Sequence, residues 1–143
     1  MAAISKAEAV WEGDLTSGAG TVTPDSGAFS ALPITWASRA ERVKGKTSPE
    51  ELIATAHAAC YCMAFSNGLA KAGHKAQRLS TTVEIEFVPG TGITSSTITV
   101  QGKVSGISQE EFQKQAEAAK EGCPVSKALH GNVELRLHAS LVD

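Results

Sequence analysis

The spacing of apolar residues changes several times along this chain, and each change predicts an element. Near the N-terminus, Ala7 to Trp11 reads as a strand and Ser17-Gly18-Ala19-Gly20 as a turn. Thr21-Val22-Thr23 follows as a second strand, closed by the turn signal Pro24-Asp25-Ser26-Gly27. Phe29 to Trp36 predicts a third strand, placed on an edge by Pro33, and the charged, Gly45-containing stretch Arg39 to Lys46 predicts a loop. Further on, Val83, Ile85 and Phe87 alternate with Glu84 and Glu86, and Ser95 to Val104 alternates through Ile98, Val100 and Gly102. With Pro89-Gly90-Thr91-Gly92 between them, the two stretches predict a hairpin. Val133 to Val142 alternates once more and predicts a final strand.

Between the strands the period lengthens to that of a helix. Ser48-Pro49-Glu50-Glu51 is a capping box: Ser48 caps, Pro49 fits the first helical position, and Glu51 stands three residues after the cap. Leu52, Ile53, Ala56, Ala59, Cys60, Met63 and Ala64 then recur at helical spacing, and Gly73 stops a helix reaching Ala72. Its segment Ala54 to Cys60 carries small side chains on almost every side, as suits a central helix wrapped closely by other elements. Ser108-Gln109-Glu110-Glu111 opens a second helix with Phe112, Ala116 and Ala119 on one face, ending at Gly122. Cys123 caps a short helix that starts at Pro124 and ends near Gly131. The order βββ-α-ββ-αα-β predicts one α+β domain over residues 1–143 with mostly antiparallel sheet.

Composition narrows the class. With 42% hydrophobic and 20% charged residues and a net charge of −2, the chain reads as an ordinary soluble protein, which argues against nucleic acid or an anionic membrane as main partner. Its first residues have neither a basic start nor an apolar core, and no run approaches transmembrane length, so a cytoplasmic location is expected. Aromatic residues are only 5% of the chain and small ones abound, so the monomer core is expected to be thin and the protein a homodimer.

In a reducing compartment the three cysteines do not suggest a structural disulfide framework. They are three buried small hydrophobes, or some of them react. Cys123 stands at a helix start, where partial positive charge and unpaired N–H groups favour a thiolate. Cys60 stands in mid-helix among alanines, where burial disfavours the thiolate, so a reactive Cys60 needs a cation from elsewhere: Arg39, Arg42 or Lys127. Cys62 is roughly 200° around the helix from Cys60 and cannot pair with it there. His57, three residues before Cys60, shares its face; a Cys–His hydrolase pair is one reading, and a polar side chain bonded at the helix surface or dimer interface the other. A zinc site from Cys60, His57 and Cys123 lacks metal-ligand spacing. Glu50 lies ten residues before Cys60, roughly 15 Å along one helix, so both could serve one site only if Glu50 came from a partner subunit.

Three segments together resemble the OsmC/Ohr family of thiol-dependent hydroperoxide reductases, in its OsmC branch. Trp11-Glu12-Gly13-Asp14 with Gly18 to Val22 resembles the family's N-terminal hairpin. Ser48 to Ile53 with Ala56-His57-Ala58-Ala59-Cys60 resembles its first-cysteine helix, and Gly122-Cys123-Pro124-Val125-Ser126 its second-cysteine motif. The resemblance implies antiparallel sheets wrapped around two central helices in an intertwined homodimer, with sites at the interface. It implies that Cys60 attacks the peroxide, Cys123 resolves, Arg39 activates and Glu50 orients Arg39 by a bidentate pair. It further implies organic hydroperoxides as substrates, no bound cofactor, and an external dithiol reductant of lipoyl or thioredoxin type. Cys62 departs from the small residue common there. The competing reading is a non-enzymatic dimeric stress or ligand-binding domain with buried thiols.

Overall fold

Glycine punctuation builds the first sheet as expected. β1 (Ala7–Glu12), β2 (Ala19–Pro24) and β3 (Leu32–Ile34) form an antiparallel sheet in that order, from Ala7 opposite Pro24 to Glu12 opposite Ala19. Gly20 has no room for a side chain: a Cβ there would run into the Val10 carbonyl and lie 2.9 Å from Trp11 Cε3. The hairpin turn is closed by Asp14, whose carboxylate accepts from Ser17 N–H at 2.8 Å and Ser17 Oγ at 2.6 Å. All of β1 is exposed.

These strands belong to the first of two units, Met1–Leu52 and Ile53–Asp143, in a computed structural model that describes residues 1–143 throughout. Within the first unit the expected long third strand is only three residues, and the expected loop begins with a helix, α1 (Trp36–Ala40). Thr35 caps it: Thr35 Oγ1 accepts from Ser38 N–H at 3.1 Å, and Ser38 Oγ accepts from Thr35 N–H at 2.9 Å. This is a capping box with serine in place of the usual Glu or Gln, so the sequence pattern did not flag it. Ser38 Oγ also donates to the Thr47 carbonyl at 2.8 Å, tying the following loop back onto α1.

The capped central helix is α2 (Pro49–Lys71). Ser48 Oγ accepts from Glu51 N–H at 3.1 Å, the first arm of the expected box. Thr47 Oγ1 donates to the Glu51 carboxylate at 2.8 Å. At its far end Gly73 takes φ 87, and His74 N–H and Gly73 N–H donate to the Leu69 and Ala70 carbonyls. That is a Schellman stop, which only a left-handed residue permits cheaply.

The second unit holds a three-stranded sheet in the order β4 (Ala76–Val88), β5 (Gly92–Val104), β6 (Glu134–Leu141). β4 and β5 form the expected hairpin. The sheets are mostly antiparallel, as expected from the element order, but β6 pairs parallel with β5, Ser95 opposite Glu134 and Gly102 opposite Leu141. The reason is the connection: α3 (Gln109–Gly122) and α4 (Pro124–Leu129) carry the chain back over the sheet before β6 begins. The full order is therefore βββ-αα-ββ-αα-β, one short helix more than expected.

Four residues of α2 at i, i+4 spacing, His57, Tyr61, Phe65 and Leu69, are wholly buried. They pack with Ile98 and Val100 of β5 and with Phe112 and Ala116 of α3, apart from His57, which makes polar contacts. Phe65 stands 5.0 Å from Phe112 and 5.6 Å from Tyr61, ring centroid to centroid. Tyr61 donates its hydroxyl to the Ala116 carbonyl at 2.9 Å, and burial pushes its pKa well up. A different stripe of α2, Ala56, Ala59 and Met63, faces outward in the chain alone, although the periodicity counted it with the packed face.

Candidate functional site

Cys60 and Cys123 come together inside the second unit. Cys60 lies on α2 beside Tyr61 and is half-buried; Cys123 is wholly buried. Cys123 ends α3 and begins α4, with its N–H donating to Ala119 O at 2.9 Å and its carbonyl accepting from Lys127 N–H at 3.0 Å. Its side chain makes no capping bond, which leaves the sulfur available to a neighbour. Cys60 packs against the buried cluster that holds Cys123, and both thiols are free.

Burial pushes the Cys60 thiol above its ordinary pKa. A hydrogen bond from Val125 N–H pulls it down, and the bond and charge of Cys123 push it up further, so the net direction is upward.

Arg39 and Glu50 meet in the first unit. Arg39 Nε donates to Glu50 Oε1 at 2.8 Å, with Glu50 almost fully buried and Arg39 about a third exposed. The pairing is as expected, but the predicted bidentate geometry is absent: Glu50 Oε2 is buried and makes no hydrogen bond. α1 aims Arg39, and the Ser48 cap sets the first turn that carries Glu50.

His57 is neither at the surface nor paired with Cys60. Nδ1 shares a hydrogen bond with Ser96 Oγ at 2.7 Å and Nε2 one with Ser126 Oγ at 2.8 Å, and both serines are buried. With both ring nitrogens engaged by serines, the hydrolase pairing lacks its base. Burial lowers the His57 pKa, favouring the neutral ring. Ser96 and Ser126 went unnoticed in the sequence because each looks like an ordinary strand or helix serine; their one signal is Ser126's place in the Cys123 segment. Cys62 points elsewhere, its Sγ donating to Thr81 Oγ1 of β4 at 3.0 Å. No helix is long and apolar enough to cross a membrane.

The family pattern described as OsmC-like protein matches residues 42–138. The chain is 39% identical over 133 residues to peroxiredoxin OsmC of Escherichia coli K12, covering 91% of this chain and 92% of the relative. It is 35% identical over 109 residues to organic hydroperoxide resistance protein-like 1 of Staphylococcus saprophyticus, covering 74% and 77%. Among solved structures, an organic hydroperoxide resistance protein OsmC from Legionella pneumophila superposes with a TM-score of 0.70 at 26% identity, covering 97% of this chain and 99% of that one.

Proposed function

Because this chain belongs to the OsmC-like family, with relatives named as peroxiredoxins and organic hydroperoxide resistance proteins, we propose that it is a thiol peroxidase reducing organic hydroperoxides through Cys60 and Cys123. The observation that carries the two-cysteine scheme is that Cys60 packs against the buried cluster containing Cys123, so segments distant in sequence come to one spot. The Cys60 thiolate attacks the distal oxygen of ROOH. The O–O bond breaks, RO⁻ leaves and takes a proton as ROH, and Cys60 becomes the sulfenic acid. Cys123 sulfur then attacks the Cys60 sulfur, a disulfide forms and water leaves. An external dithiol, of lipoyl or thioredoxin type, reduces the disulfide by exchange and is itself oxidised.

The raised Cys60 pKa states what the first step requires: a positive charge that favours the thiolate. Arg39 supplies it in this reading, with Glu50 holding the guanidinium. Glu50 precedes Cys60 by ten residues on α2, roughly 15 Å of helix rise, so the Arg39–Glu50 pair serves Cys60 of the partner subunit in a homodimer. The exposed Ala56, Ala59 and Met63 stripe and the exposed β1 are surfaces that such a dimer would cover. Apolar surroundings of the thiol pair favour organic hydroperoxides over hydrogen peroxide.

Mass spectrometry after one equivalent of cumene hydroperoxide tests this. A Cys60–Cys123 crosslink is expected in the wild type, and a Cys60 sulfenic acid in Cys123→Ser. Absence of the crosslink, with full multi-turnover activity in Cys123→Ser, would remove the scheme. Thiols inert to both peroxide and alkylating reagent in the native protein would favour the non-enzymatic binding domain instead.

A further inference from the structure

The peroxidase reading leaves unexplained why a wholly buried histidine sits three residues before Cys60 with a serine on each ring nitrogen. Ser96 lies on β5, Ser126 on α4 and His57 on α2, so one imidazole bridges three elements. On α4, Ser126 stands three residues after Cys123. A capped helix start would bond the Cys123 side chain to this turn, but Cys123 makes no such bond. The side-chain hydrogen bond that anchors this turn runs instead from Ser126 to His57. His57 and Cys60 share one face of α2, so the anchor and the target of Cys123 sit on the same rigid surface.

We propose that His57, through Ser126, is a positioning residue for disulfide closure: it clamps the first turn of α4 so that Cys123 stays in line with the oxidised Cys60. The proposal rests on the peroxidase reading for the identity of that step. In the step, Cys123 sulfur forms the S–S bond as the Cys60 S–O bond breaks, and the thiol proton leaves with hydroxide as water. The sulfurs must close to a bond of about 2.05 Å with a fixed dihedral, so a displaced α4 turn costs rate. A misplacement on the order of 1 Å can slow a reaction ~100-fold. Ser96 holds the far nitrogen and sets the ring plane. His57 touches no reacting atom in this scheme.

Rapid-quench single turnovers with cumene hydroperoxide separate the two steps, with dimedone trapping the sulfenic acid and mass spectrometry counting the disulfide. Ser126→Ala is expected to slow disulfide closure about tenfold or more, while sulfenic acid forms within about twofold of wild type and is trapped in greater yield. Ser126→Thr, which keeps the hydroxyl, is expected to restore closure, and His57→Leu to reproduce Ser126→Ala. Closure at the wild-type rate in Ser126→Ala overturns the proposal. So does an equal loss in both steps without rescue by Ser126→Thr, since the contact would then be general packing. Failure of the peroxidase reading shows itself separately, as no sulfenic acid on Cys60 of the unmodified protein. Diamide, which joins two thiols without a sulfenic acid, would still report whether loss of Ser126 slows Cys60–Cys123 pairing.

Discussion

The thiol pair and the charge pair are held by different means. Cys60 and Cys123 are set by the core of the second unit: Tyr61 and Phe65 anchor α2 just after Cys60, Phe112 and Ala116 fix α3, and α3 delivers Cys123. Arg39 and Glu50 are set by local hydrogen bonds in a unit whose first strand is exposed throughout: a Thr35–Ser38 cap, a Ser48 cap and one contact at 2.8 Å. The core-held pair cannot move without repacking aromatic rings. The hydrogen bonds that set the charge pair are each worth about 0.5–1.5 kcal/mol net. In the proposed mechanism a nucleophile and its resolving partner need the first kind of support, whereas a charge acting over a longer range tolerates the second.

The strongest way to break the comparison is at the reacting atom. Cys60→Ser should lower peroxidase turnover by roughly 10⁴-fold or more, while leaving the Cys123 thiol titratable in unfolded protein. Next comes the charge pair. Arg39→Ala should cost about 10²–10³ in kcat/KM and move the pH dependence of Cys60 alkylation upward. The sign follows from the proposed activation: burial and Cys123 already raise the thiol, and losing the cation proposed to oppose them raises it further. Unchanged alkylation in Arg39→Ala would assign the activation to another group. A mixed dimer of Glu50→Ala and Cys60→Ser chains should regain about half of one dimer's activity if the charge pair acts across subunits.

Core support is tested by stability. Phe112→Ala should cost about 3–5 kcal/mol in denaturant unfolding, as its ring is wholly buried against Phe65. Gly102→Ala should cost about 1–3 kcal/mol, because the new Cβ would lie 2.5 Å from Phe112 Cζ. The smallest expected effect is acid sensitivity from His57. Its folded pKa lies below the ordinary 6.5, so the unfolded chain takes up the proton first as pH falls. The His57 contribution is complete above pH 6.5 and declines below it, with Ser96 and Ser126 as its facing groups. Thermal unfolding across pH 5–8 should show that decline, flattened in His57→Gln.

Much of the fold was legible. Ser48 and Ser108 cap their helices through the Glu51 and Glu111 amides, Gly73 stops α2, and the alternating stretches are the strands of the second sheet. These signals work because caps, stops and alternation depend on neighbours within a few residues. α1 escaped because Phe29 to Trp36 is apolar enough to pass for a strand and its capping box uses Ser38. The parallel pairing of β6 escaped because alternation reports a half-buried strand, not the direction of its partner.

By itself the sequence determined most of the elements and the two cysteine segments, and its family resemblance implied the Arg39–Glu50 pairing. Tertiary structure alone decided that the two cysteines come together. Cys60 on α2 and Cys123 at the α3–α4 junction are remote in sequence and share one buried cluster only after the core has closed. It also decided that His57 is a buried bridge, since Ser96 and Ser126 are distant in sequence and meet the ring only after three elements have packed. Contacts between remote segments carry no local pattern, and their geometry exists only once the core has closed.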